Sequence, residues 1–177
     1  MKIMLVDPDA LEPTPDIKVF ADSALSPGDK PLFIPDAPPQ GWEGMILPAV
    51  RVDRLGTSIA TRFANRYYAH VTAVHLLRPA GPWPEIYRSM DHALSLGRWM
   101  PTDGRRAFDI SDGTGTVTAD LDLLRADEAI SALSRLMTLK MGDVIIFNRP
   151  PIMRPPVPDT TLRVTVDGVE AIRFNLK

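Results

Sequence analysis

Three histidines, His70, His75 and His92, are the side chains of this 177-residue chain best suited to moving a proton near neutral pH. His70 and His75 sit five apart around one candidate strand. That spacing points them to opposite faces, so they cannot act as a pair there. His92 follows Asp91, and together Asp91 and His92 are candidates for a proton transfer. Arg88 and Arg149 are candidates for holding a small carboxylic acid through bidentate hydrogen bonds. Isolated histidines more often serve as solvated or hydrogen-bonded groups, and nothing in the local sequence lifts these above that.

Familiar catalytic patterns are absent. The chain has no cysteine, which excludes disulfides, thiolate metal sites and a thiol nucleophile. No Gly-x-Ser-x-Gly elbow, phosphate-binding glycine loop or His-Glu-x-x-His helix occurs. Asp109, Asp112 and Gly113 predict a hairpin turn, because the further oxygen ligands of a calcium loop are missing. A net charge of -2 gives no electrostatic footprint for nucleic acid or an anionic membrane. No apolar stretch reaches the about 18 residues a spanning helix needs. The expectation is a soluble, cytoplasmic protein.

The elements that must position any site are mostly strands. Hydrophobic residues at 45% with 24% charged residues are ordinary for a globular chain, and the length suits one domain over residues 1–177. Short apolar or β-branched runs predict strands at 3–6, 17–20, 32–34, 45–52, 71–77, 108–110, 116–119, 144–147, 162–166 and 169–176. Asp167-Gly168 supplies a two-residue turn for a closing hairpin. Two short helices are predicted. One is capped by Thr57 or Ser58 and runs to about Tyr67, with Ile59, Phe63 and Tyr67 on one face. The other is capped by Asp127, with an apolar stripe of Ile130, Leu133, Leu136 and Met137. Eighteen prolines predict short strands and stiff connectors at 12–15, 35–39, 79–84 and 149–158. The last of these could serve as a polyproline II ligand, but regular strands on both flanks favour a connector. The fold class expected is α+β and β-rich.

Taken in order, these segments resemble the fumarylacetoacetate hydrolase family. Asp127-Glu-Ala-Ile-Ser-Ala-Leu-Ser-Arg-Leu-Met-Thr-Leu-Lys-Met-Gly-Asp-Val-Ile-Ile-Phe147 is similar to the family's helix, Leu-x-x-Gly-Asp turn and following strand. The ending Val166-Asp-Gly-Val-Glu-Ala-Ile-Arg-Phe-Asn-Leu176 resembles its final hairpin. Asp22-Ser-Ala-Leu25 and Lys30-Pro-Leu-Phe-Ile-Pro-Asp36 resemble the stretch before the family's acidic strand. The run from Arg51 to Tyr68 resembles the end of that strand and the helix after it. Pro82–Asp91 resembles the segment that carries the family's lysine. The resemblance implies a mixed β-sheet roll with two short helices in a single domain. It also implies a dimer, formed with itself or with a related subunit.

In active members a Glu-x-Glu and a later Asp hold Mg2+ or Mn2+, which with a lysine stabilises charge as a C–C bond breaks. Matched by position, the Glu-x-Glu falls on Met45 and Leu47 and the Asp on or beside Leu76. The lysine falls on Arg88, and Asn148-Arg149-Pro150 stands in place of Gly-Thr-Pro. The N-terminal lid shortens to Asp7–Pro13. Met45, Leu47 and Leu76 are therefore expected to be vestigial metal positions, with no cofactor and no catalysis by the family mechanism. The alternative is a hydrolase or decarboxylase for a small keto or dicarboxylic acid. That enzyme would be metal-free or would use a site relocated to Glu43, Asp91 or His75, with Glu43 the best candidate because it shares the Met45 and Leu47 face.

Overall fold

The computed structural model describes residues 1–36, 38 and 40–177, so the connector expected at 35–39 lies partly outside the described residues. The first half of the chain forms β1 (Ile3–Val6), β2 (Ile17–Phe20), β3 (Leu25–Pro27), β4 (Trp42–Val52), α1 (Thr61–Ala64) and β5 (Tyr68–Pro79). Then follow β6 (Leu94–Leu96), β7 (Met100–Pro101), β8 (Ala107–Ser111), β9 (Thr116–Asp120) and α2 (Ala126–Leu136). The chain closes with β10 (Val144–Phe147), β11 (Ile152–Met153), β12 (Thr161–Val166) and β13 (Val169–Asn175).

A mixed sheet runs in the order β2-β1-β10-β4-β5-β6-β3, with β11 added to β4 and β7 to β5. Its β1 and β10 are parallel, pairing Ile3 with Val144 through Val6 with Phe147. A second, antiparallel sheet runs β13-β12-β8-β9. The long central pair β4–β5 sets the register from Trp42 opposite Pro79 to Val52 opposite Tyr68.

The central strands are apolar on both faces because the mixed sheet is covered on both. Ile46, Val50, Val71, Ala73, Ile145 and Phe147 face one cluster, shared with α2 and the second sheet. Met45, Leu47, Ala49, Val74, Leu76, Val144 and Ile146 face another, closed over by Phe20, Trp83, Met90 and Trp99. A strand buried on both sides reads as a continuous apolar run rather than an alternating one. This is why 45–52 and 71–77 stand out in the sequence.

The expected β-rich class with two helices holds, while the helix starts differ. The first helix spans only Thr61–Ala64, and Ser58 has φ +49. The preceding residues are held out of the helix by α2's last turns. Ser58 N–H donates to Ser134 O, and Ile59 N–H donates to Ser134 Oγ at 2.8 Å. Those bonds take the place of helical ones. Phe63 is partly exposed beneath Arg62 and Arg66 rather than part of a buried stripe.

Helix α2 starts after Arg125, which is left-handed, so Asp127 lies inside its first turn and is not the cap. Ile130 and Leu133 are buried as expected, but Leu136 is 59% exposed at the fraying end. The closing hairpin is as expected. Asp167 and Gly168 both have positive φ, and Val166 pairs with Val169. The proline-rich connector is anchored by β11, where buried Ile152 lies opposite Ile46 and Met153 opposite Met45, while most of its other residues are exposed.

Candidate functional site

Met45 and Leu47 project from the same face of β4, two residues apart. Across the ladder Met45 lies opposite Leu76, and Leu47 opposite Val74. Met45 is 5% exposed, Leu47 0% and Leu76 1%. They share an apolar cluster with Leu94, Val144, Ile146, Ile3 and Leu5. A hard divalent cation needs several oxygens at short range, and these side chains offer none. The Met45 thioether is a soft donor, unsuited to Mg2+ or Mn2+. The positions do not fit the ion.

Strand β4 extends far enough to place Glu43 on the Met45 and Leu47 face, as expected. There Glu43 lies opposite Arg78, which donates from Nε at 3.0 Å and from Nη2 at 2.9 Å to Glu43 Oε2. Arg78 in turn stacks over Trp83 at 5.7 Å. Glu43 is thus paired before any ion could use it. Among the described residues no three Asp, Glu or His side chains come together as a metal cluster.

Of the remaining candidates, the two arginines are engaged by local carboxylates and the other two face solvent. Arg88, on the turn Glu85–Ser89, is mostly buried and pairs with Glu85 at 2.5 Å. Arg149, after β10, pairs with Asp9 in the loop after β1. Asp91 and His92 are exposed, and His92 has φ +61.

His75 is the histidine the core encloses. It is 1% exposed, neither ring nitrogen has a hydrogen-bond partner, and its ring meets Phe174 edge-on at 5.5 Å. Burial pushes its pKa down to about 4, so the ring is neutral at physiological pH. An imidazole so enclosed has no route to a substrate.

Two polar networks went unmarked in the sequence, because most of their members are far apart in the chain and meet only in the fold. Arg51 Nε donates to Asp53 at 2.9 Å, and His70 Nδ1 lies 3.0 Å from the same carboxylate. Partial burial pushes the Asp53 carboxyl up, but bonds from His70, Arg51 and the Ala69 N–H outweigh it and hold it below its usual range. Arg51 also covers the Trp99 ring at 5.5 Å. In the second network, Tyr68 donates to Asp127 at 2.8 Å, and Arg106 bridges Tyr68, Asp122 and Asp127. Burial, then the bond to Asp127, pushes the Tyr68 hydroxyl up, so it stays protonated.

Solved structures share this architecture along nearly the whole chain. A fumarylpyruvate hydrolase from Pseudomonas aeruginosa, in complex with Mn2+ and pyruvate, superposes with TM-score 0.74 at 16% identity, over 100% of this chain and 90% of that one. A 2-hydroxyhepta-2,4-diene-1,7-dioate isomerase from Mycobacterium marinum gives 0.79 at 18% identity, over 99% and 73%. A Yersinia pestis CO92 protein, assigned provisionally to the fumarylacetoacetate hydrolase family, gives 0.77 at 16%, over 99% and 93%. The chain has the fumarylacetoacetate hydrolase-type fold. No family model and no curated protein matches the sequence. Within this fold, the face that Met45, Leu47 and Leu76 occupy is buried and apolar.

Proposed function

We propose that this chain is a degenerate fumarylacetoacetate hydrolase-family protein, a non-catalytic binding or structural homologue rather than an enzyme of the family mechanism. The observation that carries the reading is the apolar cluster of Met45, Leu47 and Leu76. The resemblance puts three carboxylates there, and the chain packs a thioether and two isobutyl groups. Support comes also from Arg88 at the lysine position, held by Glu85. The pairing of Glu43 with Arg78 weighs against a relocated metal site. The homologue works in the cytoplasm as a dimer, with itself or with a related subunit.

The test is an assay of fumarylpyruvate cleavage with and without Mn2+, run beside sedimentation velocity. The expected result is a defined dimer with no metal-dependent turnover. Turnover that requires the ion would overturn the reading.

A further inference from the structure

A groove of about 520 Å3 lies away from Met45, Leu47 and Leu76, between the edge of one sheet and the edge of the other. Edge strand β3 and the end of β6 form one wall, and β13 forms the other. Backbone hydrogen bonds fix the gap. Arg98 N–H donates to Ala171 O at 2.8 Å, and Arg173 N–H donates to Gly28 O at 2.8 Å. The walls are therefore tied together at two points, with an open groove between them and Arg98 and Arg173 exposed at its rim.

The lining is apolar with one charged rim. Leu25, Leu96 and Trp99 contribute the apolar part, and the Arg51 guanidinium lies over the Trp99 ring. Arg98 and Arg173 line the same groove, and neither makes an ion pair among the described residues. Two carboxylates also line it, Asp29 and Glu170. Glu170 is engaged by Arg163 at 3.0 Å, whereas Asp29 has no such partner. Two unpaired guanidinium groups against one unpaired carboxylate leave a single positive charge. The volume lies in the range of small-molecule sites, about 300–1,000 Å3.

We infer that this groove binds a small aromatic monocarboxylate, its carboxylate on Arg98 and Arg173 and its ring against Leu25, Leu96 and Trp99. Guanidinium pairs favour planar oxyanions through bidentate bonds, and aromatic walls favour planar bodies. The single residual charge selects a monoanion over a phosphate dianion. The assignment is independent of the fate of the metal positions, since it uses none of those residues.

The test uses the full chain, with 3-phenylpropionate as the probe, titrated by calorimetry beside 3-phenylpropanol, inorganic phosphate and adenosine monophosphate. Saturable binding of the acid is expected, with the alcohol at least about tenfold weaker. Arg98→Gln and Arg173→Gln should each weaken the acid by about tenfold or more, the effect of losing one charge-assisted bond. Arg88→Gln should leave it unchanged, and thermal unfolding of each variant checks that the fold survives. Absence of saturable binding to the acid overturns the inference, as does equal binding by both groove variants. Tighter binding of phosphate or the nucleotide overturns the choice of a monocarboxylate. Loss of a dimer in Arg173→Gln, with no acid bound by the unmodified chain, would make the groove a subunit interface instead.

Discussion

Met45 of β4 and Leu76 of β5 are direct cross-strand partners, and both are buried in one continuous apolar cluster. Register makes the two positions one unit. A carboxylate at either position would face hydrocarbon from the other strand without a counter-ion. An acidic set at this face is stable only as a set, with a cation to share. A lone acid placed on this face would be a buried charge, costly unless neutralised.

Leu47→Asp therefore should cost at least about 3 kcal/mol of folding free energy, as an unpaired charge in a buried apolar site. Leu47→Met, which conserves volume, should cost less than about 1.5 kcal/mol. Urea unfolding of the two variants separates the cases. Equal stabilities would mean that water reaches this face.

Gly44 should tolerate no side chain. A Cβ there would lie 2.1 Å from Arg154 O and 2.9 Å from His75 Nε2, where β11 crosses β4. Gly44 O also accepts the Arg154 N–H at 2.8 Å, so the connector cannot retreat without losing a bond. Gly44→Ala should lose about 2 kcal/mol or more through overpacking. Chemical denaturation reads this directly.

Stability should fall with acidification well above the carboxylate range, because of His75. Its pKa is about 4 in the folded chain against an ordinary 6.5. The unfolded chain gains a proton as pH drops below 6.5, and the folded chain does not until about pH 4. Unfolding is thus favoured across that window by up to about 1.4 kcal/mol per pH unit, and unaffected above it. His75→Leu should flatten the slope between these limits. A slope unchanged by the substitution would place its origin elsewhere.

Asp143 acts lower on the scale. It is buried at the start of β10 and accepts the Lys2 N–H at 2.7 Å and the Lys140 N–H at 2.8 Å, with Lys2 Nζ at 2.7 Å. Burial pushes this carboxyl up, but those bonds outweigh it and hold it below its ordinary 3.8. Its contribution is present above 3.8 and lost as pH falls through the lower folded value. Asp143→Ala should cost about 1–3 kcal/mol at neutral pH by orphaning the two N–H groups. Differential scanning calorimetry across the acid range would show whether the variant loses the low-pH step.

What the sequence made legible follows from how local each signal is. The apolar runs of β4 and β5, the Asp167-Gly168 turn and the alternation of Met45 with Leu47 are visible because one segment contains the whole pattern. Strands β3, β6, β7 and β11 are not, since Pro27, Pro101 and the prolines around Ile152 argue against strand. Their pairing comes from partners such as Ser95, which lies opposite Ser26. The first helix was overextended because Ser134, far along the chain, holds Ser58 and Ile59 out of it. Glu43 was correctly placed on its face, but its Arg78 partner depends on cross-strand register. The Arg98 and Arg173 groove depends on two sheet edges meeting, which no local pattern announces.

The most direct measurement is thermal unfolding of the unmodified chain titrated with Mn2+ and Mg2+, beside a chelator control. An ion at 100 times its dissociation constant would add about 2.7 kcal/mol of stability. At this size that would move the midpoint by a few degrees. With Met45, Leu47 and Leu76 where three carboxylates would be needed, the midpoint should stay flat through millimolar ion. A saturable rise that the chelator reverses would contradict the loss of the metal site.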